Sequence, residues 1–364
     1  MKIAVYYDIP FGGAHVAMEE IISRLRQNHQ IHLFHNLPKT VHNFPPRRLW
    51  IDLESICFQC FKQRHQASEI DGKHFDLVFV SHDRHFQAPW ILRFLKTPSV
   101  FLCQEPTRAL FEDFLSIDKS WPLFNRLYER FVRFIRQKIE IKNAGYATRL
   151  VSNSRYSSGS ILRAYGRSAT PVYMGINPRS FFPANLVRQN QVLVVGNHEP
   201  QKALSLAVEV VALITPKLRP KLVIVSPRHR NNLELIELAK SKRVILEIQE
   251  GIKTPDLCRL YNQSKVLLAV ARLEPFGLSV VESLACGTPV LAVDEGGYHE
   301  TIVTEKSGLL VRRDALALSG ALKNLLLHQS LRDKMGLYGI KDVHHRFLWD
   351  TTVSKIEKIF HEII

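Results

Sequence analysis

The chain alternates short apolar runs with longer amphipathic segments, and it passes through this alternation twice. The apolar runs have the length of buried β-strands, whereas the segments between them show the 3.6-residue period of α-helices. A parallel strand pair needs a crossover connection, which a helix supplies, so this order indicates parallel sheets with helices on both faces. We therefore predict an α/β protein with two doubly wound, Rossmann-like sheets. The predicted strands are 2–7, 30–34, 76–81 and 99–103, then 192–195, 222–226, 244–248, 266–269 and 289–293.

The length of the chain also favours two domains. With 364 residues, it exceeds the usual size of a single hydrophobic core. Residues 182–190 are polar, include a proline and separate the two series of strands, as a linker would. We therefore predict an N-terminal domain over 1–186 and a second domain over 187–345, followed by an amphipathic C-terminal stretch over 346–364.

The composition is that of an ordinary globular protein. Hydrophobic residues make up 46% and charged residues 23% of the chain, a balance that excludes a disordered or low-complexity protein. No apolar run approaches the roughly 20 residues of a membrane-spanning helix, and Asp8 interrupts the first run too early for a secretion signal. The five cysteines, an odd number in a long chain, fit a reducing compartment better than a disulfide framework. We expect a cytoplasmic protein.

The cysteines do not have the pattern of a metal centre. Cys57 and Cys60 form the only close pair in the sequence, and His65 follows nearby. A structural zinc site usually takes four ligands from two such pairs, and here the second pair is missing. The chain also has no D-x-D carboxylate pair of the kind that holds a divalent cation. We predict no metal site.

Two carboxylates, Glu274 and Glu282, lie eight residues apart around a predicted helix start. Ser279 is the predicted N-cap, Gly287 the predicted end, and Glu282 is expected to point away from the buried stripe. A helix N-terminus offers unpaired amides and partial positive charge, which suit a phosphate, whereas the two acids suit the hydroxyls of a sugar or ribose. This combination predicts a binding site for a nucleotide sugar. The apolar stripe of the helix consists of Val280, Val281, Leu284 and Ala285.

This E-x7-E spacing resembles the motif of the retaining GT-B glycosyltransferases of family four. The similarity continues through 287–289, 296–300 and 308–311. In that family the first acid contacts the transferred sugar, the backbone after it binds the sugar and diphosphate, and the second acid binds the ribose. The resemblance implies these roles, in order, for Glu274, for Phe276, Gly277, Leu278 and Ser279, and for Glu282.

A second stretch, Gly196 to Lys202, resembles the family's Gly-Arg-x-x-x-x-Lys, in which the arginine and lysine bind the donor diphosphate. Lys202 is retained, so the resemblance implies a catalytic role for it beside Glu274. Asn197 replaces the arginine, and an asparagine cannot reproduce a bidentate cationic fork. We hypothesise that Arg272 or Arg228 supplies the missing charge.

The first domain carries two further candidate positions. Gly12 and Gly13 follow the first strand, where the absence of side chains lets a ligand approach the backbone, and the family has a similar glycine pair facing the donor. Gln104 stands where the family often has a histidine that contacts the sugar. An amide can hydrogen-bond a hydroxyl group but cannot carry a proton, so a proton-transfer role is not expected of Gln104.

The resemblance implies a GT-B fold, with two Rossmann-like domains, a cleft between them, and a C-terminal helix over 346–364 that returns to the first domain. It also implies transfer from a nucleotide-diphosphate sugar with retention of configuration, through front-face attack and domain closure. The diphosphate sugar is a co-substrate, and neither a metal nor another cofactor is expected.

The positive charge of the protein is concentrated in its first half. Residues 1–190 hold 26 Lys and Arg against 15 Asp and Glu, whereas residues 191–364 hold 23 against 19. The positive electrostatic potential of such a surplus attracts nucleic acid, anionic lipid or a phosphorylated acceptor. The sequence has no zinc-finger spacing, no RNP-like motif and no clear recognition helix, so we exclude nucleic acid. A glycan or lipid-linked acceptor in cell-surface polysaccharide or glycolipid synthesis fits this charge.

Residues 121–142 form a basic amphipathic helix with two open interpretations. It is either a core helix with a solvated cationic side, or a contact for an anionic membrane surface or phosphorylated acceptor at the inner face of the membrane. Its apolar side holds Phe124, Leu127, Tyr128, Phe131, Ile135 and Ile139, and its basic side holds Arg126, Arg130, Arg133 and Arg136.

Two alternatives to an active glycosyltransferase stay open. Gln104 and Asn197 depart from the family pattern, which fits a GT-B-shaped protein that binds a nucleotide sugar with little or no turnover. An unrelated two-domain nucleotide binder is the other alternative, since fold alone does not determine function.

Overall fold

The computed structural model describes residues 1–9, 12–34, 47–115, 117, 119–226 and 232–364. The chain divides into two compact units. Unit 1 consists of Met1–Val172 and Val353–Ile364, and unit 2 consists of Tyr173–Thr352.

Unit 1 contains a six-stranded parallel sheet within the described residues, with the order β2-β1-β3-β4-β5-β6. The chain changes direction across the sheet at β1, so the segments that follow β1 and β3 emerge side by side. The elements are β1 (Lys2–Tyr6), α1 (Gly13–Asn28), β2 (Gln30–Phe34), α2 (Arg47–Leu53), a π-helical stretch (Glu54–Phe58), α3 (Gln59–Gly72), β3 (Leu77–Val80), a 3-10 turn (Trp90–Arg93), β4 (Ser99–Leu102), α4 (Arg108–Phe111), a 3-10 turn (Asp113–Leu115), α5 (Leu123–Gly145), β5 (Arg149–Ser152), α6 (Arg155–Tyr165) and β6 (Thr170–Pro171).

Unit 2 repeats the plan, with a sheet of six parallel strands in its described part, ordered β12-β11-β10-β7-β8-β9. Its direction changes at β7, which places the segments after β7 and β10 next to each other. The elements are β7 (Gln191–Val195), a 3-10 turn (Pro200–Lys202), α7 (Leu204–Ala212), β8 (Lys221–Ser226), α8 (Leu233–Ser241), β9 (Leu246–Glu250), α9 (Thr254–Gln263), β10 (Val266–Ala269), α10 (Leu278–Ala285), β11 (Val290–Val293), α11 (Tyr298–Thr301), β12 (Gly308–Val311), α12 (Ala315–Leu327), α13 (Gln329–Arg346) and α14 (Trp349–His361).

Both predicted parallel sheets are confirmed, with one strand shifted. The strand predicted over 244–248 is observed over Leu246–Glu250. Arg243 has a positive φ of 57° just after α8, so the chain is still turning there and the strand starts later than its apolar residues indicate. Three strands that were not predicted, β5, β6 and β12, extend the predicted sheets.

The division between the units lies before the predicted boundary near residue 186, because the segment 173–190 packs within unit 2. Ile176 pairs with Leu348, and a Cβ atom on Gly175 would lie 2.2 Å from the Trp349 nitrogen. Gly175 is therefore required by close backbone approach rather than by a turn. The Arg188 guanidinium, in the stretch predicted to be a linker, donates to the backbone oxygens of Ser264 and Gly287 at 2.6 and 2.7 Å. On the C-terminal side the division falls after Thr352, compared with 345 in the prediction.

The final helix supplies core residues to unit 1. In the described residues of α14, Ile356 and Phe360 are fully buried. The Phe360 ring meets the Phe79 ring of β3 edge to face, with centroids 5.5 Å apart. The last twelve residues thus belong to the unit in which the chain begins, and their buried side chains contribute to its hydrophobic core.

The interpretation of residues 121–142 as a core helix with a solvated basic side is wrong for the first half of α5. Phe124 and Phe131 point to solvent, with 79% and 63% of their surface exposed. The buried side includes Glu129 and Glu140, and Arg133 is only partly exposed because its guanidinium donates to backbone oxygens of the preceding turns. The helix is rotated relative to the expectation because hydrogen-bonded charged groups occupy its inner face. Ile135 and Ile139, in the second half, do pack inward as predicted.

Candidate functional site

The ends of β7 and β10 bring together the two residues predicted to be catalytic. Lys202 ends the 3-10 turn after β7, and Glu274 follows β10 by a few residues. The Lys202 Nζ donates to Glu274 Oε2 at 2.7 Å, with 26% and 17% of the two side chains exposed. The backbone nitrogen of Arg272 also donates to the Gln201 oxygen at 2.6 Å, so the two segments are joined by main chain as well. The topology of the sheet thus creates a partly buried ion pair at its carboxyl edge.

A second ion pair holds the segment that carries Glu274. The Arg313 guanidinium donates to both carboxylate oxygens of Glu295, at 2.6 and 2.9 Å, and to the oxygens of Val270 and Ala271. Glu295 in turn accepts from the Leu273 nitrogen at 3.2 Å. Burial would raise the pKa of Glu295, but its bonds to Arg313 prevail and hold it below the ordinary value. The pair therefore keeps the Glu274 segment in place.

The backbone of this segment is also closely packed against two glycines. A Cβ atom on Gly296 would lie 2.6 Å from the Glu274 oxygen, and one on Gly297 would lie 2.2 Å from the Pro275 oxygen. The Gly297 nitrogen donates to the Glu274 oxygen at 2.7 Å. These contacts explain the Gly-Gly pair of the motif, because a side chain at either position would push the Glu274 segment outward.

Helix α10 begins directly after Gly277, whose φ of +88° lies in the left-handed region. Its N-cap is Gly277 and not Ser279, so the predicted serine cap is wrong: Ser279 is the second helical residue. The left-handed turn lets the chain reverse into the helix, a conformation that glycine adopts at low cost. The first amides of the helix, those of Leu278 and Ser279, have no acceptor within it and face the end where anions bind.

Glu282 lies one turn into α10 and is engaged by a tyrosine that the sequence did not indicate. The Tyr261 hydroxyl, on α9, donates to Glu282 Oε2 at 2.7 Å. Burial raises the pKa of Glu282 to about 7, although the Tyr261 hydrogen bond opposes the shift. Glu282 is partly buried rather than turned to solvent, and a second oxygen remains to accept from a ligand hydroxyl.

The Phe276 side chain has a structural position. It is 2% exposed and packs with the rings of Tyr173 and Phe347, whose centroids lie 6.0 and 5.7 Å away. Any contact of Phe276 with a ligand must therefore come from its backbone, as the resemblance implied.

A small cavity of about 30 Å³ adjoins the ion pair in unit 2. Its polar lining includes Lys202, Glu274 and Ser279, and Tyr298 closes one side. The Tyr298 ring also covers Gly277, where an added Cβ would meet it at 2.9 Å. The cation, the acid and the helix start therefore border one space.

Asn197, which stands where the family has an arginine, makes a structural contact. Asn197 Oδ1 accepts from the Glu199 nitrogen at 3.2 Å, so this side chain stabilises the turn after β7. Arg272 is exposed and lies two residues before Glu274. Arg228 lies outside the described residues. The hypothesis that Arg272 or Arg228 supplies the charge stays a prediction.

Unit 1 places its candidate residues at the ends of its strands. Gly12 precedes α1 with an extended backbone, and Gly13 is the first residue of the helix. Gln104 follows β4, and its buried Nε2 has no hydrogen-bond partner among the described residues. The buried Oδ1 of Asn153, after the neighbouring β5, is also without a partner in the described structure. An unbonded donor and an unbonded acceptor at adjacent strand ends are costly unless a ligand or water satisfies them.

His82 and Asp83, which follow β3, have structural surroundings. The Asp83 carboxylate accepts from Gln63 Nε2 at 2.7 Å and from the Phe86 nitrogen at 2.8 Å. Burial lowers the pKa of His82 to about 4, so this imidazole stays neutral at physiological pH. Neither has the solvent access expected of a group that exchanges protons with a substrate.

The part of the chain that carries these residues is similar to a known family. Residues 178–342 match the family described as glycosyl transferases group 1. We call this matching stretch, which covers less than half of the chain, the group 1 segment. The group 1 segment contains Lys202, Glu274, Glu282 and the supporting pair of Glu295 and Arg313.

Curated relatives of the chain include glycosyltransferases. The D-inositol 3-phosphate glycosyltransferase of Thermobifida fusca is 25% identical over 245 residues, which cover 60% of this chain and 56% of that protein. The enzyme of the same name from Salinispora arenicola is 29% identical over 257 residues, covering 60% and 55%. The chain thus spans a little over half the length of these relatives.

Solved structures show the fold of the whole chain. The sucrose-phosphate synthase of Thermosynechococcus elongatus superposes with a TM-score of 0.78 at 18% identity, covering 99% of this chain and 98% of the other. HepE of Anabaena, solved with UDP-glucose, superposes with a TM-score of 0.74 at 16% identity, and the alignment covers all of both chains. The group 1 segment is therefore part of a GT-B fold, and the predicted fold class is confirmed.

Proposed function

We propose that this protein is a glycosyltransferase that moves a sugar from a nucleotide-diphosphate sugar to a hydroxyl acceptor. The observation that carries the proposal is the Lys202–Glu274 pair beside the N-terminus of α10. A cation and free amides suit the leaving diphosphate, and a carboxylate next to them suits the hydroxyls of the transferred sugar. HepE of Anabaena holds UDP-glucose, which supports a nucleotide sugar as the donor.

Different residues of unit 2 bind different parts of the donor. Lys202 and the amides of Leu278 and Ser279 stabilise negative charge as the sugar–phosphate bond breaks. Glu274 orients the sugar through its hydroxyl groups, and Glu282 accepts from the ribose. In the ligand-free protein, Lys202 is held by Glu274, which keeps its ammonium group close to the position where the diphosphate would lie.

We propose retention of configuration without a metal ion. The bond between the anomeric carbon and the diphosphate breaks, and the acceptor oxygen bonds to the same face of that carbon. The acceptor proton passes to the departing phosphate oxygen, so the products are a glycoside and a nucleoside diphosphate. Lys202 and the helix amides, rather than a metal, then neutralise the diphosphate charge.

The unbonded amide of Gln104 supports a polar role for the first unit. Its Nε2 can donate to a sugar hydroxyl but cannot act as a base. The backbone at Gly12 and Gly13, at the start of α1, offers amides to an anionic group. The excess of basic residues in the first half supports a lipid-linked or glycan acceptor in cell-surface polysaccharide or glycolipid synthesis, at the cytoplasmic face of a membrane.

The test combines ligand binding with turnover. The protein is screened by thermal shift against UDP-, GDP-, ADP- and CMP-linked sugars, and nucleotide release is measured with each sugar that stabilises it. Lys202→Gln is expected to lower release by about a hundredfold, the usual effect of removing one group that stabilises transition-state charge. Glu274→Gln is expected to lower release as well, because the sugar is held less well. Lys217→Gln, at an exposed position, is the matched control and should behave as the wild type.

The outcomes separate the alternatives. Stabilisation by a nucleotide sugar without any nucleotide release would favour a binding protein with little turnover, an alternative supported by the use of the Asn197 side chain in a turn. Stabilisation by a nicotinamide cofactor, with no response to any nucleotide sugar, would contradict the proposal and favour an unrelated nucleotide binder.

A further inference from the structure

Helix α5 presents an apolar stripe to solvent. Its members recur with helical spacing on one side, and each has more than half of its surface exposed. They are Leu123 (67%), Phe124 (79%), Leu127 (52%), Phe131 (63%) and Phe134 (57%), and we call them the α5 apolar face. Soluble proteins rarely expose a large contiguous apolar patch unless something covers it in use.

The inner side of the helix explains why this face cannot turn inward. Glu140 is fully buried and accepts from the Tyr165 hydroxyl at 2.9 Å and the Gln87 nitrogen at 3.0 Å. Glu129 is buried and paired with Arg133 at 2.8 Å. Rotating α5 to bury the phenylalanines would break these bonds and expose the isoleucines of its second half. The exposed face is therefore fixed by the fold.

More exposed apolar residues lie on the neighbouring elements. Asp52, on α2, accepts from the Tyr128 hydroxyl at 2.9 Å and approaches Arg136 at 3.5 Å, so α2 and α5 are in contact. Ile56 and Ile135 pack on the same buried cluster from the two sides. Around this junction α2, the π-helical stretch and α3 add Trp50 (54%), Ile51 (45%), Leu53 (42%), Phe58 (57%) and Phe61 (71%).

The charges on α5 that reach solvent are positive. Both of its acids are buried, whereas Arg130, Lys138 and Lys142 are exposed. The Lys138 Nζ lies over the Phe134 ring at 5.4 Å, so this cation borders the apolar face itself. Protein–protein interfaces are depleted in lysine at their centres, whereas aromatic residues interleaved with Lys and Arg are typical of surfaces that lie on anionic bilayers.

We propose that the α5 apolar face binds an anionic membrane surface, with its aromatic side chains in the interfacial region and Arg130 and Lys138 on the lipid phosphates. The helix lies on the bilayer and does not cross it. No helix of the described residues is long and apolar enough to span a membrane. This inference goes beyond the proposed sugar transfer, because it concerns a surface of unit 1 that requires no donor.

Vesicle sedimentation with the full-length chain tests the proposal. Vesicles of phosphatidylcholine with phosphatidylglycerol are compared with vesicles of phosphatidylcholine alone, at low and high salt. The wild type is expected to sediment with the anionic vesicles at low salt. Phe124→Ser with Phe131→Ser should weaken binding by about tenfold or more at either salt concentration, because apolar burial is lost. Arg130→Gln and Lys138→Gln should each weaken it about fivefold at low salt, and little at high salt.

Matched controls keep the test independent of folding and activity. Leu316→Ser with Leu337→Ser removes two equally exposed leucines from unit 2, 70% and 63% exposed, and should leave vesicle binding unchanged. The α5 substitutions are at exposed positions, and unchanged melting temperatures would verify that the fold is intact. Nucleotide release from a free donor is measured in parallel, so loss of vesicle binding and loss of sugar transfer are separate results.

Two outcomes would overturn the proposal. The first is a wild-type protein that stays in the supernatant with anionic vesicles at low salt. The second is a dimer by size-exclusion chromatography that the Phe124→Ser and Phe131→Ser pair converts to a monomer, without any effect on vesicle binding. That second result would assign the face to contact between two copies of the chain.

Discussion

At the scale of single residues, the carboxyl group of Glu282 combines two opposing requirements. It lies in partly buried surroundings that disfavour its charge, while its proposed role is to accept hydrogen bonds from a ribose. Tyr261 supplies one donor and burial still dominates, which is why the pKa of Glu282 rises to about 7. Without a ligand, the protonated acid is the more stable form below neutral pH.

This opposition predicts a pH-dependent effect of Glu282→Gln on stability. The pKa of Glu282 in the folded protein, about 7, exceeds its ordinary value of 4.5. The protonated carboxyl therefore makes its full contribution to the free energy of unfolding below pH 4.5, and this contribution is lost as the pH rises through 7. Glutamine mimics the protonated acid. The ligand-free proteins should differ in stability by less than about 1 kcal/mol at pH 5, and the variant should be more stable by on the order of 3 kcal/mol at pH 8, as measured by their melting temperatures.

Glu209→Gln, at an exposed position on α7, is the control and should show no such dependence on pH. A variant of Glu282 that changes the melting temperature equally at pH 5 and pH 8 would contradict the burial of an ionisable carboxyl at this position.

For the candidate site, the sequence was most informative about the identity of single residues. Lys202 and Glu274, 72 residues apart, could be named in advance because each stands in a local motif. Tyr261 and Arg313 could not, because they act through space from other elements and no short motif includes them. Ser279 was misassigned as a cap because glycine caps a helix through backbone conformation alone, which a preference for side-chain caps overlooks.

At the scale of elements, the start of α10 depends on a backbone conformation and a close ring contact at one position. Gly277 has a φ of +88°, and an added Cβ would lie 2.9 Å from Tyr298 Cε1. Gly277→Ala is therefore expected to lower the free energy of unfolding by about 1–3 kcal/mol and to weaken donor binding. Gly320→Ala, inside α12 where nothing lies within 4 Å, should instead leave stability unchanged or raise it by up to about 1 kcal/mol.

Denaturant titration of both variants measures the difference. If the two alanines had the same effect on the free energy of unfolding, the left-handed turn would not be a constraint on the site.

The segment after β10 gives a second prediction at this scale. Arg313→Gln removes the bonds to Val270 and Ala271 and leaves Glu295 without its ion-pair partner. The loss is expected to destabilise unit 2 by about 1–3 kcal/mol and to reduce kcat more than it raises KM, because the position of Glu274 becomes less defined. Steady-state kinetics with the best donor of the screen would measure both constants.

Two companion variants define the cause. Arg313→Lys should recover part of the activity, since one cation–carboxylate contact can re-form, whereas Arg312→Gln, whose side chain is 80% exposed, should have no effect. Equal losses in the Arg312 and Arg313 variants would show that general surface charge, and not the anchored segment, is responsible.

Helix α5 marks the limit of prediction for elements. The spacing of apolar residues in the sequence predicts that α5 exists and is amphipathic. It does not predict the rotation of the helix about its axis, because the side that faces inward depends on which polar side chains form hydrogen bonds. Glu140 finds Tyr165 and Gln87, both outside the helix. Periodicity weighs hydrophobicity only and therefore assigned the phenylalanines to the core.

At the scale of the whole molecule, the two units share one chain in an interleaved manner. Unit 1 takes its last segment from the end of the sequence. The parallel, doubly wound sheets of both units follow from the alternation of strands and helices, whereas the order of the strands was not predicted. The sequence did not predict the position of the division between the units. The stretch 182–190 has the composition of a linker, but its residues form hydrogen bonds with other residues of unit 2. Ala184 and Arg188 illustrate this, with hydrogen bonds to Asn262 and Gly287.

This arrangement predicts that a substitution near the C-terminus destabilises the unit that begins at the N-terminus. Phe360→Ala removes a fully buried ring that packs on Phe79, at an expected cost of about 3–5 kcal/mol. Scanning calorimetry should show a lower transition for unit 1, while a bound nucleotide sugar still raises the transition of unit 2. Ile364→Ala, at a position that is 62% exposed, serves as the control. A Phe360→Ala protein with unchanged transitions would contradict the assignment of this segment to the first core.

The path of α14 has a consequence for a nicked molecule. A specific protease site inserted after Gly166, an exposed residue with open space around it, would cut the chain ahead of the point where unit 1 passes to unit 2. The downstream fragment would still carry Phe360, lodged in the core of the upstream fragment. The two polypeptides should therefore co-elute in native buffer and separate only in denaturant, because the C-terminal helix of one fragment is packed into the core of the other.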